Sequence, residues 1–252
     1  MQENYNSGDL HYEEHGSGND VVVLVHGFLS SSSYWSRIRP SLVRAGYKVI
    51  SIDLLGFGDA MKPQDIEYGY SDQVEYVGQI ARHLKLETFT LIGHSMGALI
   101  AARYAILHPA KLKYLVLLHP PLYMNTTEAN NTLINTSMLY RYLLRSKYRN
   151  IAWKVIRCSI PGIIAKHSHD AREKSLMNII VKAELFTDLQ KMKTNTLLLV
   201  GLKDRPIYLD NLANVPLRLP VKVIKENVDH HSPIKYPTLV QNLILDFISK
   251  QS

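Results

Sequence analysis

Residues 88–109 read TFTLIGHSMGALIAARYAILHP. The first five are apolar or β-branched, as expected of a strand, and the last twelve are rich in small residues at helical spacing and stop at Pro109. Between them stands Gly93-His94-Ser95-Met96-Gly97. A Gly-x-Ser-x-Gly string is weak as bare composition, and its position gives it meaning. A strand that turns abruptly into a helix forces the residue at the corner into a strained backbone conformation, and side chains two positions either side would collide. The turn lifts the Ser95 hydroxyl above the end of the sheet, at a helix N-terminus that favours developing negative charge.

Outward from this corner, short apolar runs alternate with amphipathic ones. Val21–Val25 (VVVLV), Tyr47–Asp53 (YKVISID), Tyr114–Leu118 (YLVLL), Thr196–Val200 (TLLLV) and Val221–Lys225 (VKVIK) lack the polar alternation of a half-exposed strand. They suit strands buried on both faces of a mostly parallel sheet. Val74, Val77, Ile80, Ala81 and Leu84 recur at helical spacing, as do Leu239, Val240, Leu243, Ile244, Phe247 and Ile248, with Pro237 opening the second helix. Leu10–His15 supplies one or two antiparallel edge strands. The alternation breaks from Pro120 to Thr187, where no comparable strand run occurs. The spacing therefore predicts a core of residues 1–119 and 188–252 with a helical cap over 120–187, in which Tyr123, Tyr140, Tyr142, Tyr148 and Trp153 form either cap core or pocket wall.

Composition narrows the class further. The chain has 252 residues, 46% hydrophobic and 20% charged, enough to bury a large core without a disulfide or metal staple. The single cysteine forms no internal disulfide and suits a reducing compartment. The first sixteen residues lack the apolar core of a secretory signal, and no window reaches the roughly 20 apolar residues of a membrane span. A soluble, cytoplasmic protein with no integral membrane segment is expected. The net charge is +7, and from Pro120 to Gln190 ten Lys or Arg face five Asp or Glu. These cations are scattered, without the interleaved aromatics of a strand-binding surface, so no nucleic-acid partner is expected. A basic rim attracting anionic substrates, with Arg141, Arg145 and Arg149 as its candidates, is the sharper reading of the excess. Gly56-Phe57-Gly58 lacks the rest of a dinucleotide fingerprint, and there is no GxxxxGK loop. His167-Ser168-His169-Asp170 reads as a polar turn rather than a metal site.

A serine hydroxyl needs a base to take its proton and a third group to orient that base. His230 and His231, in Val228-Asp-His-His-Ser-Pro233, stand at the carboxyl end of the last strand, where open α/β sheets bind ligands. Asp204, in Gly201-Leu-Lys-Asp-Arg205, holds the same position after Thr196–Val200, and Asp229 is a weaker rival because it adjoins the histidines. An oxyanion needs two backbone donors. The amide of Met96 follows the nucleophile, and Phe28, in His26-Gly27-Phe28 after the Val21–Val25 strand, supplies the other.

With these residues in place, the chain resembles the α/β-hydrolase-fold serine hydrolases over essentially its whole length. The resemblance rests on LHYEEHGSGNDVVVLVHGF, IDLLGFGDAMKP, LIGHSMGALIAARYA, LLLVGLKD and VDHHSP. It implies a mostly parallel sheet flanked by helices, with a helical cap after the sixth strand. It implies Ser95 as nucleophile, Asp204 as acid and His230 as base, with Phe28 and Met96 at the oxyanion hole. Several members carry a proline seven residues after the catalytic histidine, a spacing that His230 and Pro237 keep and His231 does not. Ala98 and Ala60 depart from the common pattern without touching this chemistry, and His119 occupies the place where some members carry the acid. Dehalogenases and epoxide hydrolases of this fold use aspartate where Ser95 stands. The implied activity is that of a carboxylesterase on a small-molecule ester, without metal or organic cofactor. A C–C bond hydrolase, an aminopeptidase, a menaquinone-pathway lyase and a non-catalytic binding protein remain as alternatives.

Overall fold

The computed structural model describes residues 10–135, 165–215 and 220–249. Seven strands form one sheet: β1 (Tyr12–His15), β2 (Val21–Val25), β3 (Lys48–Ile52), β4 (Phe89–His94), β5 (Leu112–Leu118), β6 (Thr196–Gly201) and β7 (Val221–Glu226). Their order is β1-β3-β2-β4-β5-β6-β7. β1 runs antiparallel to β3, and every other pairing is parallel. Among the described residues Leu10–His15 gives one edge strand, so the segment leaving Leu118 follows the fifth strand. Five residues, Gly16–Asp20, separate β1 from β2, and both strands pair with β3 from opposite sides.

The apolar runs are explained by two cores. In β2, Val22 and Leu24 point to one face of the sheet, and Val23 and Val25 to the other; all four are buried. The smaller core packs Trp35, Leu42, Val240, Ile244 and Phe247 onto the first face, from the segment around the Arg39–Arg44 helix and from the Pro237–Ser249 helix. The larger core packs the Tyr70–His83 and Met96–Leu107 helices onto the second. No helix among the described residues is long and apolar enough to cross a membrane.

The chain enters at β2, goes to β3 on one side, then returns across β2 to β4 on the other. That reversal opens a crevice between the carboxyl ends of β2 and β4, the position where open α/β sheets accept ligands. The loop after β2 carries Phe28, and the corner after β4 carries Ser95.

After β5 come a short helix at Thr126–Asn130, a π-helical turn at Asn131–Asn135, a helix at His169–Ser175 that continues as a π-helix over Leu176–Val181, and the Leu185–Lys191 helix. Tyr140, Tyr142, Tyr148 and Trp153, and Arg141, Arg145 and Arg149, lie outside the described residues. Ser168 accepts a hydrogen bond from the Ala171 amide as the N-cap of the His169–Ser175 helix. That capping contact accounts for the polar turn at 167–170.

Truncating a core residue tests this packing. Ile244→Ala, at a fully buried position, is expected to lower unfolding free energy by about 2–5 kcal/mol in urea titrations. Leu107→Ala, at a residue 57% exposed, should change it by less than about 0.5 kcal/mol.

Candidate active site

The corner after β4 is built by close backbone packing. A Cβ on Gly93 would lie 2.3 Å from the Gly97 carbonyl oxygen, and one on Gly97 would lie 2.3 Å from that of His26. Only glycine fits at either position. Ser95 between them takes φ 54° and ψ −120°, a conformation that L-residues rarely adopt. It is held because the Ser95 amide donates to the Leu118 carbonyl (2.9 Å) and its own carbonyl accepts the Ala98 amide (3.0 Å). Ser95 is 8% exposed.

The structure brings Ser95, His230 and Asp204 together from three strand ends. His230 Nε2 lies 2.9 Å from Ser95 Oγ, and His230 Nδ1 lies 2.7 Å from Asp204 Oδ2. Asp204 accepts on its other oxygen from the Arg205 amide at 2.8 Å. With its Nδ1–H donated to a carboxylate, the neutral imidazole presents a lone pair at Nε2 and can accept the serine proton. Burial alone would raise the Asp204 carboxyl. The His230 hydrogen bond and charge, the Arg205 amide and His119 together outweigh it and hold the carboxyl below its ordinary value.

The rivals find other work. Asp229 accepts the His231 amide at 3.0 Å and pairs with Lys235, whose ammonium approaches its Oδ2. His231 is half-buried and lies beside His230 with ring centroids 5.5 Å apart.

Two amides adjoin the site, that of Phe28 on the cavity lining and that of Met96 next to Ser95 in the chain. Phe28 and Met96 donate to no protein acceptor among the described residues, Met96 because it opens a helix. His26 fixes the first of these. Leu54 donates its amide to His26 Nε2 at 2.9 Å, so His26 carries its proton on Nδ1 and donates it to the Gly27 carbonyl at 2.7 Å. In a trans peptide the next N–H points the opposite way, which directs the Phe28 amide away from His26. Asp53 ties the same loop down. It is buried and accepts the Ser32 amide (2.5 Å) and the Asp59 amide (2.8 Å). Asp53, His11 and Asp59 also bring three metal-type donor atoms within 4.8 Å of one another.

Sequence reasoning assigned no role to His94 or His119, which pack around His230. His94 Nε2 donates to the His230 carbonyl at 2.8 Å, and the Tyr34 ring stacks on His94 at 4.6 Å. His119 is buried with φ 50°, its Nε2 2.6 Å from Ser232 Oγ and its Nδ1 3.7 Å from Asp204 Oδ2. His94 thus holds the His230 carbonyl and His119 the Ser232 side chain. Burial, then the neighbouring histidines, push His94 well down and His119 down to about 4. The signal for His119 was its place at the end of β5; nothing in the string marked its contact with Ser232.

Above Ser95 lies a cavity of about 390 Å³ lined by Phe28, Leu29, Pro121, Leu133, Leu176, Ile180, Arg205 and Tyr208 with Ser95, Asp204, His230 and His231. Leu133, Leu176 and Ile180 all sit on the π-helical turns that flank the 136–164 segment. Such turns recur at functional sites. Tyr123, by contrast, is fully buried and bonds Tyr208 through their hydroxyls at 3.0 Å.

A sequence profile of the α/β hydrolase fold matches residues 20–152. The chain belongs to the α/β hydrolase fold family, a family of hydrolases. It is 38% identical over 109 residues to the Arabidopsis thaliana protein named "Probable lysophospholipase BODYGUARD 2", covering 41% of this chain and 23% of that one. The chain therefore spans about a quarter of that relative's length. It is 26% identical over 268 residues to "Uncharacterized hydrolase YugF" of Bacillus subtilis, covering 95% and 94% of the two chains. Among solved structures, the bromoperoxidase of Bacillus anthracis superposes with a TM-score of 0.77 at 23% identity, over 95% of each chain; at that identity the likeness concerns the fold.

The buried neutral histidines make stability pH-dependent. His119 ionises at about 4 in the folded state against an ordinary 6.5, so the unfolded chain binds more protons between those values. Unfolding free energy therefore falls as pH drops from 6.5 to 4. His119→Gln, which removes the ionisation, is expected to flatten that slope in chemical denaturation at pH 4, 5 and 6.5. An unchanged slope would contradict the assignment.

Proposed function

We propose that this chain is a serine esterase, hydrolysing carboxylic esters of small to medium acyl chain through an acyl-enzyme on Ser95. The reading is supported above all by one observation: a serine in a strained strand-to-helix corner lies 2.9 Å from a histidine whose other nitrogen is bound to a buried carboxylate. The named lysophospholipase relative agrees with ester chemistry but covers 41% of the chain.

In this account Ser95 Oγ attacks the ester carbonyl carbon as His230 Nε2 removes its proton. The carbonyl oxygen becomes an oxyanion, and the Phe28 and Met96 amides stabilise it. Collapse breaks the bond to the alkoxy oxygen, which takes the proton back from His230 and leaves as the alcohol. Water then enters, His230 takes its proton, and the same steps in reverse release the acid and restore Ser95. Asp204 stays ionised and stabilises the imidazolium. Residues 120–187 act as the cap whose described ends, Leu133, Leu176 and Ile180, line the acyl side of the cavity.

The test is turnover of p-nitrophenyl esters from acetate to decanoate. Ser95→Ala is expected to lose more than about a thousandfold in kcat with little change in thermal stability, and Asp204→Asn about ten-thousandfold. Wild-type activity persisting in Ser95→Ala would overturn the assignment. The chain-length optimum measures the cavity.

A further inference from the structure

The lining of the cavity over Ser95 is mixed. Leu133, Leu176 and Ile180 are its apolar side chains from the cap ends. The same lining includes Arg205 and Tyr208, at the start of the Pro206–Ala213 helix. Arg205 has no carboxylate partner among the described residues. Its neighbour Asp204 is bonded to His230 and to the Arg205 amide, and no salt bridge joins that carboxylate to the guanidinium.

The two phenols next to it add a donor. Tyr208 lines the cavity, and its hydroxyl lies 3.0 Å from that of the buried Tyr123; when Tyr123 donates, the Tyr208 O–H is left without a protein acceptor among the described residues. Burial raises both phenols, which stay protonated, and the Arg205 charge pulls against that rise in each.

An exposed cation and a phenol on the lining of a cavity that also carries hydrocarbon side chains form a donor set for an oxyanion on an otherwise apolar ligand. We propose that the site takes esters bearing a carboxylate or phosphate, with that anion held by Arg205 and the tyrosine hydroxyl and the hydrocarbon laid on Leu133, Leu176 and Ile180. The inference rests on the esterase reading for the position of the reacting carbonyl. It goes beyond that reading in naming the charge of the substrate and the residue that selects it.

Two matched substrate pairs distinguish the sources of the anion. One is 1-decanoylglycerol 3-phosphate against 1-decanoylglycerol, with the charge on the alcohol side. The other is p-nitrophenyl hydrogen glutarate against p-nitrophenyl valerate, with the charge on the acyl side. In at least one pair the wild type is expected to favour the charged member in kcat/KM. Arg205→Gln should cut that charged-to-neutral ratio about tenfold, the loss of one charge-assisted hydrogen bond, with Arg205→Lys restoring part of it. A ratio unchanged by Arg205→Gln in both pairs overturns the proposal. Calorimetric titration of decyl phosphate into the Ser95→Ala protein decides the same question without turnover. Arg205→Gln in that background should weaken binding about tenfold, and equal binding overturns the proposal. If the wild type cleaves none of the esters, the esterase reading falls, while the decyl phosphate titration still decides for or against the anion site.

Discussion

Ser95 stands at a corner that the backbone can turn only if Gly93 and Gly97 let three segments touch. The carboxyl end of β2, the end of β4 and the first turn of the Met96–Leu107 helix approach so closely that a single methyl group at either glycine would overlap a carbonyl oxygen. This contact holds the serine at φ 54°, sets the Met96 amide at a helix start, and places the loop carrying Phe28 beside both. The strain is of the order of 1–3 kcal/mol. The two buried cores on either face of the sheet are large enough to absorb it.

Around that corner the chain gathers four histidines and leaves one of them in contact with the serine. His94 and His119 are buried, neutral and bonded to the backbone or side chain of the His230–Ser232 turn. Their burial excludes a second positive charge beside the base, so a proton accepted at His230 is paired with Asp204 rather than shared. The same burial makes the fold sensitive to acid, because these histidines take up protons more readily in the unfolded chain than in the folded one. Asp204 adds to this, since its depressed carboxyl favours the folded state above its unfolded value and ceases to do so as pH falls through the folded one.

Much of this was legible in the string because parallel strands buried on both faces leave unbroken apolar runs, and five such runs fell within two residues of β2, β3, β5, β6 and β7. The corner was legible because glycine spacing records a steric fact. Asp204 and His230 could be picked out from their place at strand ends and from the Pro237 spacing, whereas the contacts made by Asp229 and His231 depend on a turn whose geometry no spacing encodes. His119 and Ser232 are 113 positions apart, and their hydrogen bond follows from the adjacency of β5 and β6 and the return of the chain after β7. The place of the exposed Arg205 on the cavity lining was hidden for a similar reason, since it depends on the cap ends that complete the cavity.

The account depends on Ser95 being activated by His230. Reaction with a fluorophosphonate probe, followed by intact mass and peptide mapping, tests this without assuming any substrate. One adduct per chain, on Ser95, with labelling slowed by orders of magnitude in His230→Ala, is the predicted result. An unmodified wild-type chain, or an adduct on another residue, would contradict it.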